Sequence, residues 1–116
     1  GLWFDVFATR HHAPSTSFGV ALAGSFAWTA DTRPIPEVLA AIVSGDMLVV
    51  HDCGLRGNPS HTGLDDLARE YPQDLLRRFV LCHYASETEA QAMEAAGMRV
   101  ARRGEVIALA GPQAGA

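Results

Sequence analysis

Two short apolar runs, MLVV at 47–50 and FVLC at 79–82, constrain the fold of this 116-residue chain more than any other feature. Neither run alternates with polar residues, so neither leaves one side in water. Flanked by helical patterns, runs of this length read as buried parallel strands. Each is followed within a residue by histidine, His51 after the first and His83 after the second.

The rest of the chain alternates strand and helix signals around these two. Residues 2–10, 18–23 and 26–30 are strand-like, and Gly24-Ser25 marks a turn between the last two. Pro34 and Pro36 then end the sheet signal. Pro36 suits the first turn of a helix, where its missing N–H costs nothing, and Val38, Leu39, Ile42 and Val43 follow at helical spacing. After a polar loop at 54–60, Thr62 and Asp65 open a helix with Leu64, Leu67 and Ala68 on one face. Ser86 with Glu89 forms a capping-box pattern before a helix that buries Ala90, Met93 and Ala96, with Gly97 beyond its end. Two short strands, 98–101 and 106–109, are expected around Arg103-Gly104. Three strands precede the first helix, and neither GxGxxG nor GxxxxGK[ST] occurs, so a regular dinucleotide or P-loop fold is excluded.

Composition supports one modest domain. Hydrophobic residues make up 48% of the chain, enough for a core, and the formal net charge is −4, so bulk charge gives no footprint for nucleic acid or an anionic membrane. Apolar stretches are broken well before the ~20 residues a membrane span needs. No secretory signal segment opens the chain, and its start at Gly1-Leu2-Trp3-Phe4 suggests a truncation or cleavage product. Residues 111–116 read as a frayed tail. Cys53 and Cys82 are the two cysteines, and they read as reduced core thiols of a cytoplasmic protein.

Polar residues gather where strands end. Asp31 follows FAWTA, His51 and Asp52 follow MLVV, His83 follows FVLC, and His61 leads into a helix. Open α/β folds bind ligands at the carboxyl ends of strands, and Asp and His are ligands for zinc, manganese or iron. Each residue also has a plain structural reading. Asp31 suits a turn cap, His51 a hydrogen-bonded core residue and Asp52 a loop anchor. His61 and His83 suit helix entry, His11 and His12 the surface, and the arginines solvated charges.

The segment FAWTADTRPIPEVLAAIVSGDMLVVHDC, with Ser60-His61-Thr62 and FVLCHYAS after it, resembles the metallo-β-lactamase-fold metallohydrolases. The branch it is most similar to holds the tRNA 3′-end processing endonucleases and related phosphodiesterases. The resemblance spans roughly residues 5–109. It implies an α/β fold: the C-terminal half of an αββα sandwich, over residues 1–110, with a mixed sheet and helices on one face. It implies Asp31 as a carboxylate bridging two divalent metal ions, zinc with manganese or iron as alternatives, and His83 as a ligand of the second ion. His61 would act at the scissile phosphate, oriented by Asp52. His11 or His12 would lie at the rim.

The chain departs from that pattern in lacking HxHxDH and the further histidine ligand. Two ligands do not close a two-metal site, so the resemblance implies a missing N-terminal half, supplied in cis or by another chain in a homo- or hetero-oligomer. Without it the sheet exposes an apolar face and the chain alone is inactive, with no metal required in it. The leading expectation is therefore part of a metal-dependent phosphodiester hydrolase, on a small phosphodiester or RNA. The competing expectations are a non-catalytic partner-binding half-domain, and a regulatory α/β domain in which Asp31 and His83 face apart.

Overall fold

The computed structural model describes residues 1–112; residues 113–116, most of the expected tail, lie outside the described residues. Six strands form one mixed sheet in the order in which they occur along the chain. They are β1 (Asp5–Ala8), β2 (Phe18–Leu22), β3 (Phe26–Trp28), β4 (Leu48–Asp52), β5 (Phe79–Cys82) and β6 (Arg99–Val100). The first three are antiparallel neighbours; β3 through β6 are parallel. Helix α1 (Pro36–Ile42) connects β3 to β4, α2 (Leu64–Glu70) and α3 (Gln73–Leu76) connect β4 to β5, and α4 (Glu87–Ala95) connects β5 to β6.

The local signals explain most of these boundaries. Pro36 is the first residue of α1, which ends when the Val43 N–H closes on the Leu39 carbonyl. Ser86 caps α4 by accepting the Glu89 N–H at 3.2 Å. The Glu89 carboxylate does not complete the box at Ser86; it accepts the N–H groups of Ala85 and Leu55 and so ties two loops together. Gly97 takes φ 89° just past α4, a conformation that favours glycine.

The core lies between the helices and one sheet face. Phe7, Ala21, Ala27, Val49, Phe79, Leu81 and Val100 pack with Ile35, Leu39, Leu67, Tyr71, Leu75, Leu76, Ala90 and Met93. On the opposite face the register sets Val6, Val20, Trp28 and Val50 side by side. Solvent reaches it, with Val6 65%, Phe18 51% and Trp28 47% exposed. Among the described residues, no helix is long and apolar enough to cross a membrane.

Some expectations differ from the structure. The strand expected at 106–109 does not form; Val106 is exposed and no ladder reaches it. Helix α2 starts after Gly63, not Thr62, and buries Asp66 instead of Ala68. The single turn of α3 follows Pro72 and carried no periodic signal, because four residues are too few to show one.

His51 is the polar member of the core. Its ring stacks on Phe79 at 4.9 Å between centroids. Nδ1 lies 2.7 Å from the Asp52 carbonyl and Nε2 2.7 Å from the Tyr71 hydroxyl, which itself accepts the Ile35 N–H. A carbonyl can only accept, so Nδ1 carries the proton and Nε2 accepts from Tyr71. Burial pushes the His51 pKa down to about 4, against the weaker opposing pull of Asp52. The unfolded chain takes up this proton near pH 6.5 and the folded chain only near 4, so the unfolded state binds more protons between those values. We expect unfolding free energy to fall by roughly 3 kcal/mol from this residue as pH drops from 6.5 to 4. Denaturant titrations across that range should show the slope, and His51→Gln should flatten it.

Candidate functional site

Two antiparallel steps restore direction, so β1 runs the same way as β3, β4 and β5, and all four strands end at one edge of the sheet. That edge collects the chemistry. Asp31 follows β3, Asp52 is the last residue of β4, His83 follows β5, and His11 lies three residues beyond β1. Ala30 and His83 take left-handed conformations, with φ 52° and 64°. Non-glycine residues rarely do so without surrounding structure that forces them, and such residues cluster at functional sites.

Asp52 is the buried anchor of the cluster, with a side chain only 1% exposed. Its Oδ2 accepts the Thr32 N–H at 2.9 Å and lies 2.7 Å from His61 Nδ1. The Nδ1 proton of His61 therefore points at the carboxylate, and Nε2 is left with a lone pair. Among the described residues, Asp52 Oδ1 has no hydrogen-bond partner. His83 Nδ1 approaches it to 3.4 Å without making a hydrogen bond, and His83 Nε2 lies 3.5 Å from Asp31 Oδ1. The His61 and His83 rings stack at 5.2 Å.

One ligand atom from each of Asp31, Asp52, His61 and His83 falls within 4.8 Å of the others. Around a zinc ion with bonds of ~2.0–2.2 Å, tetrahedral ligand atoms sit about 3.3 Å apart, so small side-chain movements would close the group on a cation. A buried carboxylate oxygen with no donor costs more than the ~1–3 kcal/mol of a neutral unsatisfied group. A metal ion is the partner that would remove this cost, and the Asp/His donor set suits zinc, manganese or iron.

The structure thus brings together all four site residues named from the sequence, and the expectation that Asp31 and His83 face apart fails. It also adds His11, read from the sequence as rim or surface. His11 Nδ1 is 2.9 Å from the Ser60 carbonyl, which fixes its proton there, and Nε2 points toward Asp31 Oδ2 at 3.8 Å. The parallel direction of β1 and β3 was the signal that could have placed it. The His12 ring lies tilted against His11 at 3.8 Å between centroids, with Nδ1 3.5 Å from Ser60 Oγ.

The loop carrying His61 is held from several sides. Asn58 Oδ1 accepts the N–H groups of Ser60 and His61, and Thr62 Oγ1 donates to the Thr32 carbonyl at 2.7 Å. Arg33 is not a solvated charge. It pairs with Asp66, and hydrogen bonding to that carboxylate holds the guanidinium pKa above its usual value. Burial works against the Asp66 charge, but hydrogen bonds from Arg33 and Gly63 and the charges of Arg33 and Arg69 hold its pKa below the carboxylate norm. Both cysteines are protonated thiols, with burial raising Cys53 to about 12 and Cys82 to about 11. A cavity of about 410 Å³ opens beside the cluster, with Asp52, His61, His83, Leu55, Arg56 and Glu89 in its wall.

A family model described as Anti-Pycsar protein Apyc1 matches residues 1–107. The chain belongs to that family. No curated protein matches it. This corrects the resemblance to metallo-β-lactamase-fold metallohydrolases and their tRNA-processing and phosphodiesterase branch. The family match, over residues 1–107, covers all but the end of the stretch that carried it, and the pieces behind it (His51-Asp52, His61-Thr62, Cys82-His83-Tyr84) are short polar segments at the carboxyl end of the sheet, a place where open α/β folds of many kinds carry polar residues. With it goes the reading as part of a metal-dependent phosphodiester hydrolase; of the expected fold, the α/β class and the mixed sheet stand. The alternative of a non-catalytic half-domain gains no clear support either.

If the four-residue cluster holds a cation, adding Zn²⁺ or Mn²⁺ at about 100 times its dissociation constant should stabilise the fold by ~2.7 kcal/mol. Thermal melts should then shift upward by roughly 10 °C, EDTA should reverse the shift, and Asp31→Ala with His83→Ala should abolish it.

Proposed function

We propose that this member of the Anti-Pycsar Apyc1 family acts against cyclic-nucleotide signalling by capturing the nucleotide at the Asp31–Asp52–His61–His83 cluster, with a divalent metal ion between the carboxylates and the nucleotide phosphate. Family membership supplies the signalling context. The observation that carries the site assignment is the buried, unpartnered Oδ1 of Asp52 at the wall of the cavity.

The argument is electrostatic. A cyclic nucleotide carries a phosphate anion. The pocket wall and its margin present Asp31, Asp52 and Glu89, and the whole chain is net negative at −4. Carboxylates in a partly desolvated wall repel an anion. A divalent cation reverses that sign locally and keeps coordination positions for phosphate oxygens. His61 adds to this: with Nδ1 held by Asp52, its Nε2 is the free atom and its lone pair can ligate the ion or accept from a ligand hydroxyl. Leu55 offers an apolar surface and Arg56 a cation farther along the same wall, suited to the ring and polar edge of a nucleobase. The cavity volume of about 410 Å³ falls in the lower part of the ~300–1,000 Å³ range of small-molecule sites.

Calorimetric titration of the metal-loaded chain with purine and pyrimidine cyclic nucleotides is the direct test. Binding should appear with Zn²⁺ or Mn²⁺, vanish in EDTA, and fall at least tenfold in Asp52→Asn. Equal affinity in EDTA, or no binding by protein shown to hold metal, would sink the proposal.

A further inference from the structure

Arg33 sits two residues after Asp31, and its side chain reaches away from the cluster into the joint between the His61 loop and α2. Nη1 donates to the His61 carbonyl at 2.9 Å and to Asp66 Oδ2 at 2.7 Å, and Nη2 lies 3.3 Å from Asp66 Oδ1. The Asp66 side chain is 3% exposed. It also accepts the Gly63 N–H at 2.9 Å, at the start of α2, and pairs with Arg69. One planar guanidinium therefore ties the segment after Asp31, the backbone of His61 and the first turn of α2.

Two glycines let the loop close on this pair. A Cβ at Gly57 would strike the Asp66 carboxylate and the Arg33 guanidinium, and one at Gly63 would strike the backbone of Arg56 and Gly57. The loop is packed against the ion pair with no room for a side chain between them.

We propose that Arg33, held by Asp66, is a positioning residue that fixes the backbone at His61 and so keeps its imidazole on Asp52 within the metal-binding cluster. The proposal rests on the reading of that cluster as the working site. The carbonyl bond acts on the peptide that carries His61, while Asp52 acts on the ring. Together they define both ends of the side chain. A guanidinium can serve a carboxylate bidentately and still donate to a carbonyl in the same plane; an ammonium is a point donor with no such fork. The neighbouring Arg69 pairs with the same carboxylate from outside and has no bond to the His61 carbonyl, which makes it the internal control.

The test compares Arg33→Lys with Arg69→Ala in the full chain. Long-range ¹H–¹⁵N correlation spectra of metal-free protein report the His61 tautomer, and titration calorimetry reports Zn²⁺ affinity. Arg33→Lys should stay folded, lose the single Nδ1–H tautomer of His61 for a mixture, and bind Zn²⁺ roughly tenfold more weakly. Arg69→Ala should lower the melting temperature and leave the His61 signals unchanged. A folded Arg33→Lys with wild-type His61 signals and Zn²⁺ affinity would overturn the proposal. If Arg33→Lys does not fold, Gly57→Ala, which displaces the pair without removing either charge, must shift the same signals; no shift would overturn it equally. The tautomer is read without metal or nucleotide. Failure of nucleotide binding with the expected tautomer shift would therefore refute the functional proposal and support the clamp.

Discussion

The carboxylate of Asp52 is the constraint on which the rest of the site depends. It closes β4, and its backbone N–H bonds to Thr29 Oγ1 at 3.2 Å, so the end of the strand is pinned to its neighbour. One oxygen then serves two donors, the Thr32 N–H and His61 Nδ1. Those two bonds gather the segment after β3 and the loop after β4 around a single buried anion. A buried charge with this many neighbours costs several kcal/mol to desolvate unless all its lone pairs are used. Among the described residues no hydrogen bond reaches the second oxygen, and that imbalance is what distinguishes the site from a structural network such as Arg33–Asp66, where each oxygen has a donor.

The fold was legible where burial and chain direction left one solution. The uninterrupted runs at 47–50 and 79–82 became central strands because residues apolar on both sides need a partner on both sides. Pro36 and Ser86 placed two helix starts through the chemistry of a single residue each. Where tertiary contacts decide, the sequence misled. Asp66 looks like a solvent-facing helix residue, yet it is buried because Arg33, 33 residues back in the chain, supplies its countercharge. Ala68, apolar and nominally on the core side, yields that side to Tyr71, whose hydroxyl has His51 and Ile35 as partners. At 106–109 the pattern is strand-like, but a strand needs an edge to bond, and β6 is two residues long.

The site was legible for a related reason. Asp31, Asp52 and His83 end strands that the sequence marks clearly, and a parallel sheet brings its strand ends to one edge. His61 was found through its loop. His11 was read no further than rim or surface, because placing it beside Asp31 requires knowing that β1, two antiparallel steps from β3, points the same way. Arg33 was missed because a charged residue beside a proline looks like a loop surface. The family resemblance went astray at a different level. The residues it singled out do converge, but short polar endings at strand tips are common property of open α/β sheets, and convergence of side chains does not identify a family.

Two of the three left-handed non-glycine residues among those described, Ala30 and His83, lie at this edge and show how rigidly it is held. Ala30 and His83 each pass into the left-handed region, at a cost of about 1–2 kcal/mol apiece for a residue with a Cβ. Relaxing either one would swing the residue beside it, Asp31 in the first case and the imidazole of His83 itself in the second. The flanking ladder prevents this: Thr29 N–H bonds to Val50, Cys53 N–H to Cys82, and Thr29 Oγ1 to the Ala30 carbonyl. The left-handed turn at Ala30 directs Asp31 back over the sheet edge instead of outward. The same turn at His83 lets one ring face both carboxylates, at 3.5 Å and 3.4 Å. An extended backbone at either position would carry its side chain on along the strand direction and separate these groups. Stability given up at two backbone positions is thus the physical condition for the close approach of Asp31, Asp52 and His83.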